Sequence, residues 1–380
     1  MKQRVQFSRR ARWAVPAGAV IVVGGVLAGS MISVASAAPS LPAKTPAQLL
    51  TALAAKPQTP PLTGTVVETS SLGLPSLPGT SNPTSIAALL TGSHTIRVWY
   101  ADPQHFRVAV PQSMSESDII RNGSNAWVWE STQNTVTHVT IPAHSDSKSA
   151  AKSAAASEPP LTPQQAAQEV LAKVGPTTTV RVDSNVTVAG EAAYQLVLAP
   201  KSTSSLIGQI RIAVDGSRDV PLRVQVFAKG AKTPAAQIGF TSVSFIKPAA
   251  ANFTFTAPAG ATVKTEQLGQ GGPATQHAPK TGDVSMIGQG WLSVADLPSS
   301  ALTEATQSSG HPSSGSGLSG DSDQVIGALV KSGTPVSGSW GSGRLIKTSL
   351  VSLLITDKGR VLVGAVTPQV LYAAAAQAAK

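Results

Sequence analysis

Residues 96–110, IRVWYADPQHFRVAV, show the clearest strand pattern of the chain. Apolar side chains alternate with other residues on both sides of the Asp102-Pro103 turn, which is the period of two expected for a half-buried β-hairpin. Strands joined by so short a turn must be antiparallel, because a parallel pair needs a crossover of about a dozen residues or more. The stretch therefore predicts two antiparallel strands with one covered face.

The same alternation recurs at residues 210–214, 220–226 and 238–246, with a turn at Asp215-Gly216. A sheet whose strands are apolar on one face only needs a cover on that face. Three helices can supply it, because Thr-Pro and Asn-Pro pairs cap and start a helix well. These helices are predicted at residues 45–55, 83–91 and 162–174, the last with Gln165 completing a capping box. The predicted fold class is α+β, a curved antiparallel sheet wrapped around a few helices.

The first 37 residues have the pattern of an export signal. Basic residues end at Arg12, an uncharged stretch follows, and Ala35-Ser36-Ala37 offers small residues for cleavage. The alternative is an uncleaved N-terminal membrane anchor, because the uncharged stretch is long enough to span a bilayer. The chain contains no cysteine, which excludes a lipid-modified cysteine and a thiolate metal site. We therefore expect an exported protein of the cell envelope, secreted or anchored at its N-terminus.

The charge of the chain does not indicate nucleic-acid binding. The formal net charge is +10, and five of the basic residues lie in the first twelve positions. The remaining basic residues are spread thinly and are not interleaved with aromatic residues, as a nucleic-acid groove requires. No nucleic-acid partner is expected.

Two low-complexity stretches divide the chain. Residues 143–160 are rich in Ser, Ala and Lys, and residues 264–323 are rich in Gly, Ser, Pro and Gln, compositions that bury little apolar area. The second stretch is predicted to be a linker between a main domain at 38–263 and a final segment at 324–380. That segment is expected to form a hairpin and a helix from Pro368 that pack on the main domain.

Catalytic motifs are missing from the sequence. There is no Gly-x-Ser-x-Gly elbow, the six histidines lack metal-ligand spacing, and the glycine clusters lack the lysine of a phosphate loop. No paired carboxylates stand out. The sequence predicts no enzyme, no cofactor and no metal.

Aromatic and aliphatic side chains concentrate on the predicted strands between residues 99 and 129. Ligand cavities are mostly apolar, so these side chains are candidates for a binding cavity, with ordinary core as the alternative. The candidate cavity residues are Trp99, Tyr100, Phe106, Val108, Ile119, Trp127 and Trp129.

A series of strand motifs, taken in order, resembles one known superfamily. It is that of the outer-membrane lipoprotein carriers LolA and LolB and the sigma-factor regulator RseB. The motifs are GTVVET (64–69), VWYADPQHFR (98–107), DIIRNG (118–123), WVW (127–129), VAGEAAYQLVL (188–198), AVD (213–215), PLRV (221–224) and FTSVSF (240–245).

The resemblance covers about residues 45–262 and implies an incomplete, LolA-like β-barrel closed on one side by helices. It also implies a cavity for acyl chains, with no catalytic residues and no cofactor. The function expected is binding of a lipid acyl chain or a lipidated protein, as a carrier or chaperone of the periplasmic or equivalent envelope space. The alternative is an RseB-like sensor that binds an envelope protein partner.

Overall fold

The computed structural model describes most of the chain after the predicted export signal. The described ranges are residues 39–55, 59–73, 91–112, 114–141, 162–171, 175–267, 285–299 and 331–378. The predicted export signal at 1–37 and the low-complexity stretch at 143–160 lie outside these ranges.

A twelve-stranded sheet contains the hairpins predicted from the sequence. Its strands are β1 (Leu62–Ser71), β2 (Thr91–Asp102), β3 (His105–Pro111), β4 (Glu116–Asn122), β5 (Asn125–Glu130), β6 (Thr135–Thr140), β7 (Thr178–Val188), β8 (Glu191–Pro200), β9 (Ile207–Asp215), β10 (Pro221–Ala228), β11 (Ala236–Ser244) and β12 (Thr262–Gln267). Their order across the sheet is β12-β6-β5-β4-β3-β2-β1-β11-β10-β9-β8-β7. The sheet is open, not closed into a barrel, and the predicted α+β class is confirmed.

One pair in this sheet departs from the expected antiparallel order. β12 runs parallel to β6. After β11 the chain follows residues 245–261, including a 3-10 turn at Ala250–Phe253, before it joins the far edge of the sheet. A segment of this length can carry the chain across the sheet, which allows a parallel pair.

Three described helices begin at proline. They are α1 (Pro46–Ala54), α2 (Pro163–Leu171) and α3 (Pro368–Ala378). Residues 83–90 of another predicted helix lie outside the described ranges, and Thr91 begins β2.

The first two helices have the predicted capping chemistry. At α1, the Gln48 backbone N–H donates to the Thr45 hydroxyl at 3.2 Å, and the Thr45 N–H donates to the Gln48 side chain at 2.8 Å. At α2, Gln165 completes the same capping box with Thr162, with distances of 3.3 and 3.1 Å. Each pair satisfies N–H groups that the first turn of a helix leaves without partners.

The main core lies between the sheet and the first two helices. Leu49 and Leu53 of α1 and Ala166 and Ala167 of α2 pack on one face of the sheet, here called the helix side; the opposite face is called the outer face. The sheet contributes buried side chains from both of its halves to the same cluster: Leu62, Val66, Ile96, Val98, Leu196, Leu198, Ile210, Ile212, Val214, Leu222, Val224, Ile238 and Phe240.

A second sheet of six strands follows. Its strands are β13 (Ser285–Ile287), β14 (Val294–Pro298), β15 (Thr334–Gly338), β16 (Gly341–Lys347), β17 (Ser352–Thr356) and β18 (Arg360–Gly364). The β17–β18 hairpin and α3 lie where the sequence predicts them. Residues 285–298, which the sequence analysis places in a linker, instead form β13 and β14, because Val294 packs with Leu362 and Leu371 in a separate core.

Backbone hydrogen bonds join the second sheet to the first. The Leu206 N–H donates to Ala365 at 2.9 Å, and the Thr367 N–H donates to Ser204 at 2.9 Å. The Trp291 indole N–H donates to the Thr178 hydroxyl at 2.8 Å. The second sheet is therefore attached just before the start of β9 and at the start of β7.

Candidate functional site

Strand register divides the seven candidate cavity residues between two faces. Val98 lies opposite Val108, Val108 opposite Ile119, and Ile119 opposite Val128. Directly paired residues share a face of a sheet, and successive residues of a strand alternate between faces. Tyr100, Phe106, Val108 and Ile119 therefore lie on the helix side, and Trp99, Trp127 and Trp129 lie on the outer face.

The helix-side residues differ in how well they are covered. Val98 is 5% exposed and belongs to the main core. Tyr100 and Val108 are partly exposed at its margin, while Phe106, Ile119 and Val128 are partly exposed and join no hydrophobic cluster of the described residues. The described helices α1 and α2 pack mainly against β7, β10 and β11, in the other half of the sheet.

An apolar surface therefore continues beyond the described helices. We call it the helix-side groove and define it by five residues: Tyr100, Phe106, Val108, Ile119 and Val128. It crosses β2 to β5, and its floor is continuous with the main core through Val98. Such a surface can bind an apolar chain with little polar desolvation.

Polar side chains bound the groove at both ends. Arg121 lies opposite Phe106, and its Nε donates to the Gly123 carbonyl at 3.2 Å. At the other end, the Ser117 hydroxyl donates to Glu130 at 2.7 Å. The groove thus has an apolar middle, a guanidinium at one end and a carboxylate at the other.

The outer face beside Trp99 and Trp129 contains an ion pair. The Arg107 guanidinium lies 5.4 Å from the centre of the Trp99 ring and pairs with Asp118, whose side chain is 1% exposed. Asp118 lies opposite Trp129. Burial raises the pKa of Asp118, the Arg107 charge lowers it and Glu116 raises it; the net direction is upward. Trp99 therefore lies against a partly buried ion pair and does not line an apolar cavity.

The crossover segment after β11 covers the neighbouring part of the outer face. The Phe255 ring lies 6.1 Å from that of Trp127, which stacks on His138 at 5.3 Å. Phe253 is buried and lies 6.1 Å from the His105 ring. Trp127 is thus packed against protein, and this accounts for its large ring without a ligand.

Sequence reasoning missed the groove residue Val128 and Arg121 at one end of the groove. The signal that locates them is the two-residue turn Gly123-Ser124, because Asn122 then pairs with Asn125 and the rest of the β4–β5 register follows. Gly123 has φ of 63°, which suits such a turn.

A carboxyl group lies on the helix side nearer the core. Glu68 of β1 is paired with His94 and Ile238. Its Oε2 is buried and has no hydrogen-bond partner among the residues that the structure describes. Burial raises the pKa of Glu68, and the nearby His94 lowers it; the net direction is upward. An ionised Glu68 is therefore unfavourable in this position.

The part of the chain that the structure describes contains no group of three or more His, Cys, Asp or Glu side chains placed to hold a metal ion. In the same residues, no helix is both long and apolar enough to cross a membrane.

The geometry defines a class of protein: an open half-barrel with an apolar groove on its helix side and a second, smaller sheet attached. No family model matches the chain, and no curated protein matches it. Solved structures do match, and they include proteins of the superfamily that the strand motifs resemble.

Three of these structures illustrate the range of sequence identity, TM-score and coverage. The MucA/MucB complex of Pseudomonas aeruginosa matches at 14% identity and a TM-score of 0.40, covering 87% of this chain and 96% of the other. A LolA superfamily protein from Nitrosomonas europaea matches at 12% identity and a TM-score of 0.21. The match covers 56% of this chain and 99% of the other. A putative outer membrane lipoprotein-sorting protein domain from Vibrio parahaemolyticus matches at 9% identity and a TM-score of 0.20. The match covers 52% of this chain and 90% of the other. At these scores the fold assignment rests on the strand pairing of this chain.

Proposed function

We propose that this protein binds an apolar ligand, a lipid acyl chain or the acyl chain of a lipidated protein, in the helix-side groove. It acts as a carrier or chaperone and carries out no catalysis. The observation that supports this proposal is the change in burial along one row of side chains. Val98 is part of a closed core, whereas Ile119 and Val128, in the same row, are partly exposed and outside it.

The energetics of the groove suit an acyl chain. The row from β2 to β5 crosses three strand spacings of about 4.8 Å, or roughly 14 Å. Each CH₂ group removed from water contributes about 0.8 kcal/mol, so burial of part of one chain gives useful affinity. The groove needs no polar partner along its middle.

The ends of the groove suit the polar part of such a ligand. Arg121 can receive a carboxylate or a phosphate, because a guanidinium binds both with charge-assisted hydrogen bonds. The Ser117–Glu130 pair at the other end disfavours an anion there. The acyl chain would therefore enter with its charged group near Arg121.

An extracytoplasmic location fits this proposal. The basic start, uncharged stretch and small-residue exit of residues 1–37 have the form of an export signal. One matching structure is named a lipoprotein-sorting domain, and another a LolA superfamily protein. The protein would therefore bind its ligand in the cell envelope.

A second candidate is a sensor that binds an envelope protein. The attached second sheet favours it, because a carrier needs only the groove, and this sheet adds a further surface joined by the Leu206–Ala365 hydrogen bond. The matching MucB structures include complexes with MucA. In this version the ligand in the groove would alter the affinity for the partner.

Displacement of a fluorescent fatty acid tests the proposal. The purified full chain is titrated with cis-parinaric acid and then with unlabelled palmitate. We expect a fluorescence increase on binding and its reversal by palmitate. Absence of saturable binding, with the chain shown to be folded by circular dichroism, would contradict the proposal.

A further inference from the structure

β7 is one of the two edges of the twelve-stranded sheet, and among the described residues only β8 pairs with it. Contacts from other parts of the chain lie at both ends of this strand. The Trp291 indole N–H donates to Thr178 at 2.8 Å, and the Asn185 side chain donates to the Pro39 carbonyl at 3.0 Å. Between these two contacts, no described strand lies along residues 179–184 on the side away from β8.

Alternate backbone groups of β7 point away from β8. The Lys201 N–H donates to the Thr177 carbonyl at 2.9 Å, in line with the β7–β8 register. Hydrogen-bonded positions alternate in an antiparallel pair, so the odd-numbered residues of this stretch bond to β8. The N–H and C=O groups of Val180 and Val182 therefore point to the edge, where they make no hydrogen bond with the described residues. Such a row of unpaired groups can accept a further strand.

Two opposite charges flank Val182 on the outer face. Val182 lies opposite Leu196 of the main core, which places Val182 on the helix side and its two chain neighbours on the outer face. Arg181 and Asp183 pair with each other at 3.0 Å, and their side chains are 51% and 34% exposed. Hydrogen bonds from the Ser184 N–H and from Arg181 hold the pKa of Asp183 below its usual range. Both charges are therefore present and accessible at the edge at neutral pH.

The order Arg-Val-Asp is self-complementary in an antiparallel pair. If two copies of β7 pair with Val182 opposite Val182, Arg181 of each copy lies opposite Asp183 of the other. These two positions do not bond to each other through the backbone, so their Cα atoms would be about 4.5 Å apart, the closer of the two spacings in such a pair. Opposite charges directly across two strands stabilise the pair, and like charges destabilise it. Because the arrangement has two-fold symmetry, each contact occurs twice.

We propose that the β7 edge is a self-association surface, and that its partner is a second copy of this chain. The two β7 strands pair antiparallel over residues 180–184, with the two-fold axis at Val182. The edge groups of Val180 and Val182 then gain hydrogen-bond partners, and Arg181 and Asp183 form ion pairs with their counterparts in the second copy. The surface is separate from the helix-side groove, which crosses β2 to β5 in the other half of the sheet.

Sedimentation velocity of the full chain, over about a hundredfold range of concentration, tests for the dimer. We expect a concentration-dependent shift from monomer to dimer. Arg181→Asp places like charges opposite each other at two points, and it is expected to weaken the dimer at least about tenfold. The double variant Arg181→Asp with Asp183→Arg restores the opposite charges and is expected to restore the dimer.

Lys264→Glu is the matched control. Lys264 is exposed on β12, at the other edge of the same sheet, and the charge reversal is of the same size. It is expected to leave the dimer unchanged. Circular dichroism of each variant shows that it is folded, so that a loss of association is not a loss of structure.

Cysteine cross-linking tests the register, because the chain contains no cysteine of its own. Val182→Cys places the two thiols across the axis, at a Cα separation of about 5.5 Å that a disulfide can span. Thr179→Cys is an exposed position on the same strand, but there the two thiols would lie six residue steps apart, roughly 20 Å. Mild oxidation is expected to give a covalent dimer for Val182→Cys and not for Thr179→Cys.

The combined results decide whether β7 is the surface of association. A dimer that is weakened in Arg181→Asp, restored in the double variant and cross-linked only through Val182→Cys supports the proposal. A chain that stays monomeric at every concentration would overturn it. Equal weakening by Arg181→Asp and Lys264→Glu, or equal cross-linking of the two cysteine variants, would overturn it as well.

Discussion

Ile119 lies directly opposite Val128 across the β4–β5 pair, on the helix side of the sheet. Their chain neighbours Ile120 and Trp127 form the adjacent pair on the outer face. This alternation separates the apolar groove from the packed aromatic surface behind it. It also defines which substitutions affect a ligand and which affect the fold.

The first prediction concerns Val128. Val128→Glu puts a charge on the floor of the groove, and we expect it to weaken palmitate binding at least about tenfold, because an apolar ligand would have to desolvate a carboxylate. The displacement assay with cis-parinaric acid measures the effect. Val263→Glu is the control, since Val263 is 54% exposed on β12, outside the groove. Equal losses in the two variants would argue against the groove.

The second prediction concerns the orientation of the ligand. Arg121→Gln is expected to weaken palmitate binding about tenfold by removing a charge-assisted hydrogen bond. Binding of the uncharged monopalmitoylglycerol should change little. A similar effect on both ligands would show that Arg121 shapes the groove but does not receive the charged group.

The third prediction concerns the pH dependence of stability. The pKa of Glu68 is raised in the folded chain, so the unfolded chain loses this proton at lower pH than the folded one. The contribution of Glu68 to stability is therefore lost as the pH rises from the ordinary pKa of the unfolded chain through the raised pKa of the folded chain. Glu68→Gln is expected to be more stable than the wild type at neutral pH, with the difference vanishing at pH values below the ordinary pKa. Urea unfolding at several pH values measures it, and a difference independent of pH would contradict this account.

The fourth prediction concerns the second core. Leu371 of α3 is fully buried among Val294, Leu354 and Leu362. Leu371→Ala is expected to cost about 2–5 kcal/mol of unfolding free energy, because it leaves a cavity. Gln377→Ala, on the exposed side of the same helix, is expected to change stability by less than about 0.5 kcal/mol. Comparable losses in the two variants would show that α3 does not pack as described.

Local patterns predicted much of the fold. The alternation in residues 96–110 gave β2 and β3, and the caps at Thr45 and Thr162 gave α1 and α2. These features depend on neighbours within a few residues, which a sequence shows directly. The hairpin of β17 and β18 was found for the same reason.

The site was predicted less well, because the residues that cover its parts are far apart in the sequence. Trp99 and Tyr100 are adjacent in β2, so alternation alone puts them on opposite faces. The cover over Trp127 comes from Phe255, far along the chain. The strands at 285–298 form because distant residues such as Leu362 supply their core. Such partners are fixed by tertiary packing, and composition alone suggested a linker there.

Native mass spectrometry measures directly whether the groove holds a lipid. The full chain is purified without denaturant from a bacterial host that exports it, and its mass is measured before and after extraction with organic solvent. The account predicts adducts with the mass of a fatty acid or phospholipid, lost on extraction and strongly reduced in Val128→Glu but not in Val263→Glu. A chain that stays free of lipid, even after incubation with membrane lipids, would contradict lipid binding in the groove.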